Sequence, residues 1–407
     1  MAVGGNSAKV TTGLVLTGGG ARAAYQVGVL RALAELSPSG APTPFKVVCG
    51  TSAGAINATA IAADAGDFRR AVGRLVRVWK DFHASQVYRS DVAGMGHCAA
   101  RWFWSLVGGG MPRHGAVSLL DNGPMARLLA REVDFSGIAA AVARDDLAAL
   151  AVTASGYSSG HSVSFFQGRQ DIAPWQRARR LGVPAEIGID HLMASAAIPF
   201  MFPPTRIGDE YFGDGSMRQI APISPALHLG ADRVLVVSVS RRADGDAVRS
   251  QGCPSLAQIA GHALNSIFTD GLEADLERLA RTNQALACIA PHALAEGLEL
   301  RHVGCLVLSP SEELDRIAVR HLHSLPGTVR YCLRGIGAMR RSGSNLASYV
   351  LFERTFCRAL MRLGHADTMA RRDEVIAFLG LPEGHRPRVS AQRPTHASPA
   401  AIERIAA

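Results

Sequence analysis

A chain of 407 residues, 48% of them apolar and 19% charged, holds one large domain with an appendage or two ordinary domains, and disorder over most of its length is excluded. The net charge of +9 raises nucleic acid or an anionic membrane as partners. Yet lysine occurs only at Lys9, Lys46 and Lys80 and the remaining basic residues are arginine, a skew that GC-rich codon usage produces with no functional cause; without a finger, helix-turn-helix or basic-aromatic pattern, nucleic acid is set aside.

Taken from the start, Met1 to Thr12 is polar and lacks the charged start and apolar stretch of a signal peptide. No window has the roughly 20 uninterrupted apolar residues of a membrane-spanning helix. The expected location is therefore the cytoplasm or the periphery of a membrane. Seven cysteines, scattered and never in C-x-x-C spacing, read as reduced thiols rather than zinc ligands.

Gly13 to Thr17 is a short apolar run ending in Gly18-Gly19-Gly20, and Ala21 to Leu36 carries Tyr25, Val29, Leu30 and Leu33 on one side of a helix. Pro38, Pro42 and Pro44 break the chain. Phe45 to Cys49 predicts a second buried strand, with Ser52 in the turn before a helix rich in Ala and Ile. Strand, turn and helix repeated this way predict parallel strands covered by helices, an α/β layered sheet.

Arg69, Arg70, Arg74, Arg77 and Lys80 recur at helical spacing and predict a solvated basic face. Arg101 to Val107, with Trp102, Phe103 and Trp104, predicts either a cap helix with core aromatics or an interfacial lid. Leu147 to Ser155 and Ser162 to Gln167 read as strands, Ile189 to Ala197 as a short helix, and Arg233 to Ser240 as a buried strand closing the α/β region.

From Ser255 the pattern is mostly helical: Leu256 to Ile267, Leu272 to Gln284, a short strand at Leu306 to Leu308, and a long stretch from Asn345 to Leu363. The division expected is a tail over 1–12, an α/β domain over 13–240, a helical region over 241–386 and a mobile tail over 387–407.

Gly50-Thr51-Ser52-Ala53-Gly54 has the G-x-S-x-G form of a nucleophile elbow between a strand and a helix, where small neighbours allow a strained turn to present a hydroxyl. Gly18-Gly19-Gly20-Ala21-Arg22 is a glycine turn at a helix start, whose N–H groups suit a phosphate or the oxyanion of acyl transfer. A dinucleotide fingerprint would want Gly where Ala23 stands and a later acid than Glu35, and a Walker loop would want its Lys. Both turns follow early strands and can lie side by side at one sheet edge, which favours the oxyanion reading.

A serine nucleophile needs a base. Of fourteen histidines, His191, His228 and His262 lie in predicted helices and none stands out. The alternative is Asp214, in Tyr211-Phe212-Gly213-Asp214-Gly215 at the end of an apolar strand, where burial would raise the carboxyl pKa toward that of a useful base. Asp-Gly can also be a plain turn.

The glycine turn, the elbow, Ala194-Ser195-Ala196-Ala197-Ile198-Pro199 with Phe202-Pro203-Pro204, and Asp214-Gly215 occur in an order that resembles the patatin-like phospholipases over roughly residues 13 to 240. Leu120 to Pro124 and Gly230 to Val234 resemble further segments of the family. The resemblance implies a three-layer α/β/α sandwich with a largely parallel sheet, followed here by a mainly helical C-terminal region.

It also implies cleavage of fatty acyl esters, in a phospholipid or another acyl-ester lipid, with no metal or organic cofactor. Ser52 would be the nucleophile and Asp214 its base. Gly18, Gly19, Gly20, Ala21 and Arg22 would form the oxyanion segment, and Gly50, Thr51, Ala53 and Gly54 the elbow. Peripheral membrane contact would follow from such a substrate. Two positions depart from the family: Ser216 follows Gly215 where Gly or Ala is usual, and Ala23 replaces a Gly. A non-catalytic lipid- or partner-binding protein of this fold, or an esterase or thioesterase for short acyl groups, are the alternatives.

Overall fold

The computed structural model describes residues 10–89, 91, 118–241, 256–288, 301–335, 338–339 and 344–382. The expected aromatic segment from Arg101 to Val107 and the two terminal tails lie outside these residues.

The first strand, β1 (Thr12–Leu16), is buried along its whole length, as the uninterrupted apolar run requires of a central parallel strand covered on both faces. It is flanked by β2 (Val47–Thr51) and β9 (Arg233–Val237), both parallel to it. Between them in the chain come β3 (Ala149–Gly156), β4 (Ser162–Gly168), β5 (Trp175–Arg177), β6 (Arg180–Pro184), β7 (Thr205–Ile207) and β8 (Glu210–Asp214), and β10 (Gly304–Leu308) follows. The sheet runs β10-β9-β1-β2-β3-β4-β6-β5, with β8 joined to β3 and β7 to β8. Its half from β10 to β3 is parallel throughout, whereas β4 and β8 meet β3 antiparallel.

The helices that frame the sheet's business end are α1 (Ala24–Leu36), α2 (Ala53–Ala63), α3 (Phe68–Lys80), α4 (Gly123–Glu132), α5 (Ile189–Ser195), α6 (Leu256–Ala287), α7 (Ser344–Val350) and α8 (Arg354–Ala370). One apolar cluster joins β1, β2 and β3 to α1, α2 and α8, and a second on the opposite face packs Val15, Val47 and Val234 against Leu272 of α6. These are the two interlayer cores of an α/β/α sandwich.

Three details differ from the sequence reading. The sheet continues past Ser240: the short strand expected at Leu306 to Leu308 is β10, and it adds in register to β9 instead of standing alone among helices. The two helices expected between Leu256 and Gln284 are one helix, α6, since the Gly271 that divides the pattern sits in mid-helix against the backbone of Gln219. The stretch from Asn345 to Leu363 is broken into α7 and α8 at Leu351 to Glu353, where the chain turns between two packing surfaces.

Candidate active site

Both glycine motifs end parallel neighbours, so they meet at the carboxyl edge of the sheet. Ser52, one residue beyond β2, holds φ 55° and ψ −131°, a left-handed backbone conformation that costs a non-glycine residue on the order of 1–3 kcal/mol and tends to persist at functional sites. The elbow can close because its flanks lack side chains. A Cβ on Gly50 would come 2.5 Å from Ala55 Cα and the Gly54 carbonyl oxygen, and one on Gly54 would come 2.4 Å from the Leu16 carbonyl oxygen. The second of these contacts is the junction between the two motifs: the end of β1, leading into Gly18-Gly19-Gly20, lies directly on the elbow.

The glycine turn enters the fold as a short 3-10 turn over Gly20–Ala23, then α1; the expected single helix from Ala21 therefore begins with a tighter turn, forced by Gly20 at φ +54°. The N–H groups of Gly18 and Gly19 have no acceptor among the described residues. Thr51, Ala53, Ala21, Arg22 and Ala23 are all buried.

The Ser52 hydroxyl donates a 2.6 Å hydrogen bond to Asp214 Oδ2. Asp214 ends β8, the strand paired antiparallel to β3, which carries it across the end of β3 toward the elbow on β2. Its second oxygen, Oδ1, accepts the Ser216 N–H at 2.9 Å. The carboxyl is wholly buried. Burial lifts its pKa from the ordinary 3.8 to about 6, against the lowering effect of the Ser52 hydroxyl and the Ser216 N–H. Gly215 is needed for this approach, since a Cβ there would sit 2.1 Å from the Thr153 carbonyl oxygen.

Ser216 contributes through its backbone N–H. Its own hydroxyl is buried beside Gly18, so the serine departs from the usual small residue without breaking the backbone bond to Asp214. Ala23 is fully buried; its methyl packs, and its carbonyl accepts the Asn57 side-chain amide at 3.3 Å.

The histidines weighed as bases lie elsewhere: His191 packs edge-on to Phe165, His228 stacks on Trp175, and no histidine lines the cavity at Ser52 among the described residues. The basic helix is partly tied into the fold. Arg69 bonds the carbonyls of Ala34, Glu35 and Ser37, Arg70 pairs with Asp64, and Arg74 reaches the cavity.

The contacts of some site residues are not legible in the sequence, even for Ser195, which falls in a segment that carries the family resemblance. Ser195, fully buried at the end of α5, accepts the Ser52 N–H at 2.9 Å and donates to the Thr153 carbonyl at 2.6 Å, pinning the strained turn to β3. Gln26, Asn57 and Trp79 form a buried chain: Gln26 donates to the Thr17 carbonyl at 2.7 Å, Asn57 to Gln26 at 3.0 Å, and Trp79 Nε1 to Asn57 at 3.0 Å. Polar side chains in otherwise apolar helices mark these positions, but only the fold supplies their partners. Replacing Ser195 with alanine leaves the buried Ser52 N–H unmatched, and is expected to cost about 1–3 kcal/mol of stability in urea unfolding.

From Ser52 an apolar cavity opens, walled by Ile56, Leu75, Trp79, Met125, Leu128 and Phe352. Arg74 and Glu132, its charged members, are solvent-exposed. No helix among the described residues is long and apolar enough to cross a membrane.

An α/β/α sandwich with a serine on a strained strand-to-helix turn, bonded to a buried carboxyl at the head of an apolar cavity, defines the class of protein. The chain belongs to the patatin-like phospholipase family, whose model matches residues 14–227; that family acts generally on lipid esters. No curated protein matches the chain. Among solved structures it is similar to VipD from Legionella pneumophila, at 12% identity over 87% of this chain and 67% of that one, with a TM-score of 0.27, a score too low for anything about this chain to follow from it.

Proposed function

We propose that the protein is a lipid acyl hydrolase of the phospholipase A or lysophospholipase type, working through Ser52 and Asp214. The observation that carries the reading is the 2.6 Å bond between Ser52 Oγ and Asp214 Oδ2 at the head of the apolar cavity. A serine hydroxyl is a weak nucleophile until a base takes its proton, and a carboxyl with pKa near 6 is mostly ionised at neutral pH while remaining a stronger base than a surface aspartate.

In the reaction, Ser52 Oγ attacks the ester carbonyl carbon and its proton passes to Asp214. The carbonyl oxygen becomes an oxyanion, and the N–H groups of Gly18, Gly19 and Gly20 are assigned to bind it, the kind of fixed donor that stabilises such a charge. Collapse expels the alcohol, which leaves with the proton, and the acyl group stays on Ser52. Water then attacks the acyl ester, Asp214 again holding the proton, and the fatty acid departs.

The cavity supplies the preference for a lipid chain, because its walls offer methyl, methylene and aromatic surface and almost no hydrogen-bonding groups. Purified protein incubated with a diacyl phospholipid, a lysophospholipid and a short nitrophenyl ester tests the reading. Acyl release from the lipids above the Ser52→Ala background supports it, and equal release by both proteins on every substrate ends it. In the same assay Met125→Trp, which fills the cavity wall, is expected to lower turnover of long-chain esters at least about tenfold while sparing the short ester; a uniform loss would separate the cavity from chain recognition.

A further inference from the structure

Arg22 is buried, with only 4% of its surface exposed. Among the described residues it meets no carboxylate at hydrogen-bonding distance. Its donors are spread over neutral acceptors from the C-terminal half of the chain: Nε to Ser348 Oγ at 2.7 Å, one terminal nitrogen to Asn345 Oδ1 at 2.6 Å, and the other to Tyr349 Oη at 3.3 Å and Asn265 Oδ1 at 3.5 Å. The guanidinium also lies 4.1 Å from the Tyr349 ring centre.

These acceptors are themselves fixed. Ser348 donates back to the Asn345 carbonyl at 2.6 Å and Tyr349 stacks on Phe268 of α6 at 5.0 Å. Arg22 ends the glycine-turn motif, and α7, which carries Asn345, Ser348 and Tyr349, touches that turn a second time: a Cβ on Gly20 would come 2.3 Å from the Tyr349 carbonyl oxygen. The fork of Arg22 and the backbone of Tyr349 thus grip the turn from one side while Gly54 limits it from the other.

Three residues on, the chain reaches the cavity. Phe352 forms part of its wall and meets Trp79, Phe82 and Tyr88 in edge or tilted ring contacts. Val350 accepts the Tyr88 hydroxyl at 3.0 Å, and Glu353 accepts the Ala84 N–H at 3.3 Å. A ten-residue stretch therefore spans from the glycine turn to the acyl cavity.

We propose that residues 344–353 are a working part of the active site, with Asn345 and Ser348 as positioning residues that hold the oxyanion-binding turn through Arg22. None of the three side chains touches the reacting atoms. Planar, multidentate bonding by Arg fixes both distance and rotation of the segment it anchors, which a point-charged Lys cannot do. The geometric part stands by itself; its catalytic consequence rests on the hydrolase reading.

Two measurements on Asn345→Ala/Ser348→Ala in the full chain test this. Hydrogen exchange read by mass spectrometry is expected to speed up at least tenfold in the peptide covering Gly18 to Ala23 and to stay unchanged in β9; unaltered exchange in a folded double variant overturns the proposal, whether or not the protein is a hydrolase. With a short soluble ester, kcat is expected to fall at least tenfold with KM within about twofold, because the turn acts on the oxyanion and not on ground-state binding. A change in KM alone overturns the positioning role.

Arg22→Lys is expected to reproduce the loss in kcat, as charge without the fork does not hold the turn; full activity in Arg22→Lys counts against the proposal. If wild type and Ser52→Ala are equally inactive, the hydrolase reading fails and the exchange result still decides the grip.

Discussion

Replacing Ser52 by alanine is expected to reduce acyl release at least about 10⁴-fold without unfolding the protein, as loss of a nucleophile does where the remaining groups still bind and polarise the substrate. The backbone strain at this position belongs to the φ of 55° and not to the hydroxyl, so alanine keeps it. Glycine, which adopts that region freely, is expected to be more stable than alanine here by about 1 kcal/mol in urea unfolding, with equally low activity. Equal stability of Ser52→Gly and Ser52→Ala would show that the elbow carries no strain, and activity retained by either would remove Ser52 from the mechanism.

The second large effect is at Asp214. Asp214→Asn keeps the shape and one acceptor oxygen but has no site for the Ser52 proton, and a loss of about 10³-fold or more in kcat is expected. The same substitution tests the charge. A buried carboxyl whose pKa is raised from 3.8 to about 6 binds its proton more tightly folded than unfolded, so the wild type loses stability as pH rises through that window. Fully ionised, above about pH 6, the cost of burying the charge is on the order of 3 kcal/mol.

The asparagine variant carries no such charge. Its thermal unfolding is expected to lie above that of wild type at pH 8, with the gap closing as pH falls toward 4. The activity of the wild type runs the opposite way, rising with pH to a plateau above about 6 as the base becomes ionised. A wild-type rate that is flat from pH 5 to 8, or a variant that gains nothing at pH 8, would mean that Asp214 is not the titrating base.

The covalent order of small residues already determines much of this molecule. An apolar run too short for a helix, closed by three glycines, has few alternatives to a buried strand entering a tight turn, and Gly50 to Gly54 repeats that logic around a serine. Because parallel strands need helical crossovers and right-handed connections, two such units specify neighbouring strands, and hence two turns at one edge. The α/β class, the elbow and the glycine turn were legible for that reason: each is local, encoded within six residues.

What the sequence could not contain is distance across the chain. Asp214 is 162 positions from Ser52, and only the antiparallel pairing of β8 with β3 brings the two within a hydrogen bond. Asn57 looks like any polar residue in a helix until the fold gives it partners, and Ser195, though its segment carries the resemblance, meets the Ser52 N–H only through the fold. Arg22 is the sharpest case, since its acceptors Asn345 and Ser348 lie more than 300 positions away in a stretch whose periodicity shows only helix. Periodicity reports which face of an element is apolar; it carries no information about which other element meets that face. That choice is made by tertiary packing, and here it places the C-terminal helices against the glycine turn and the wall of the cavity.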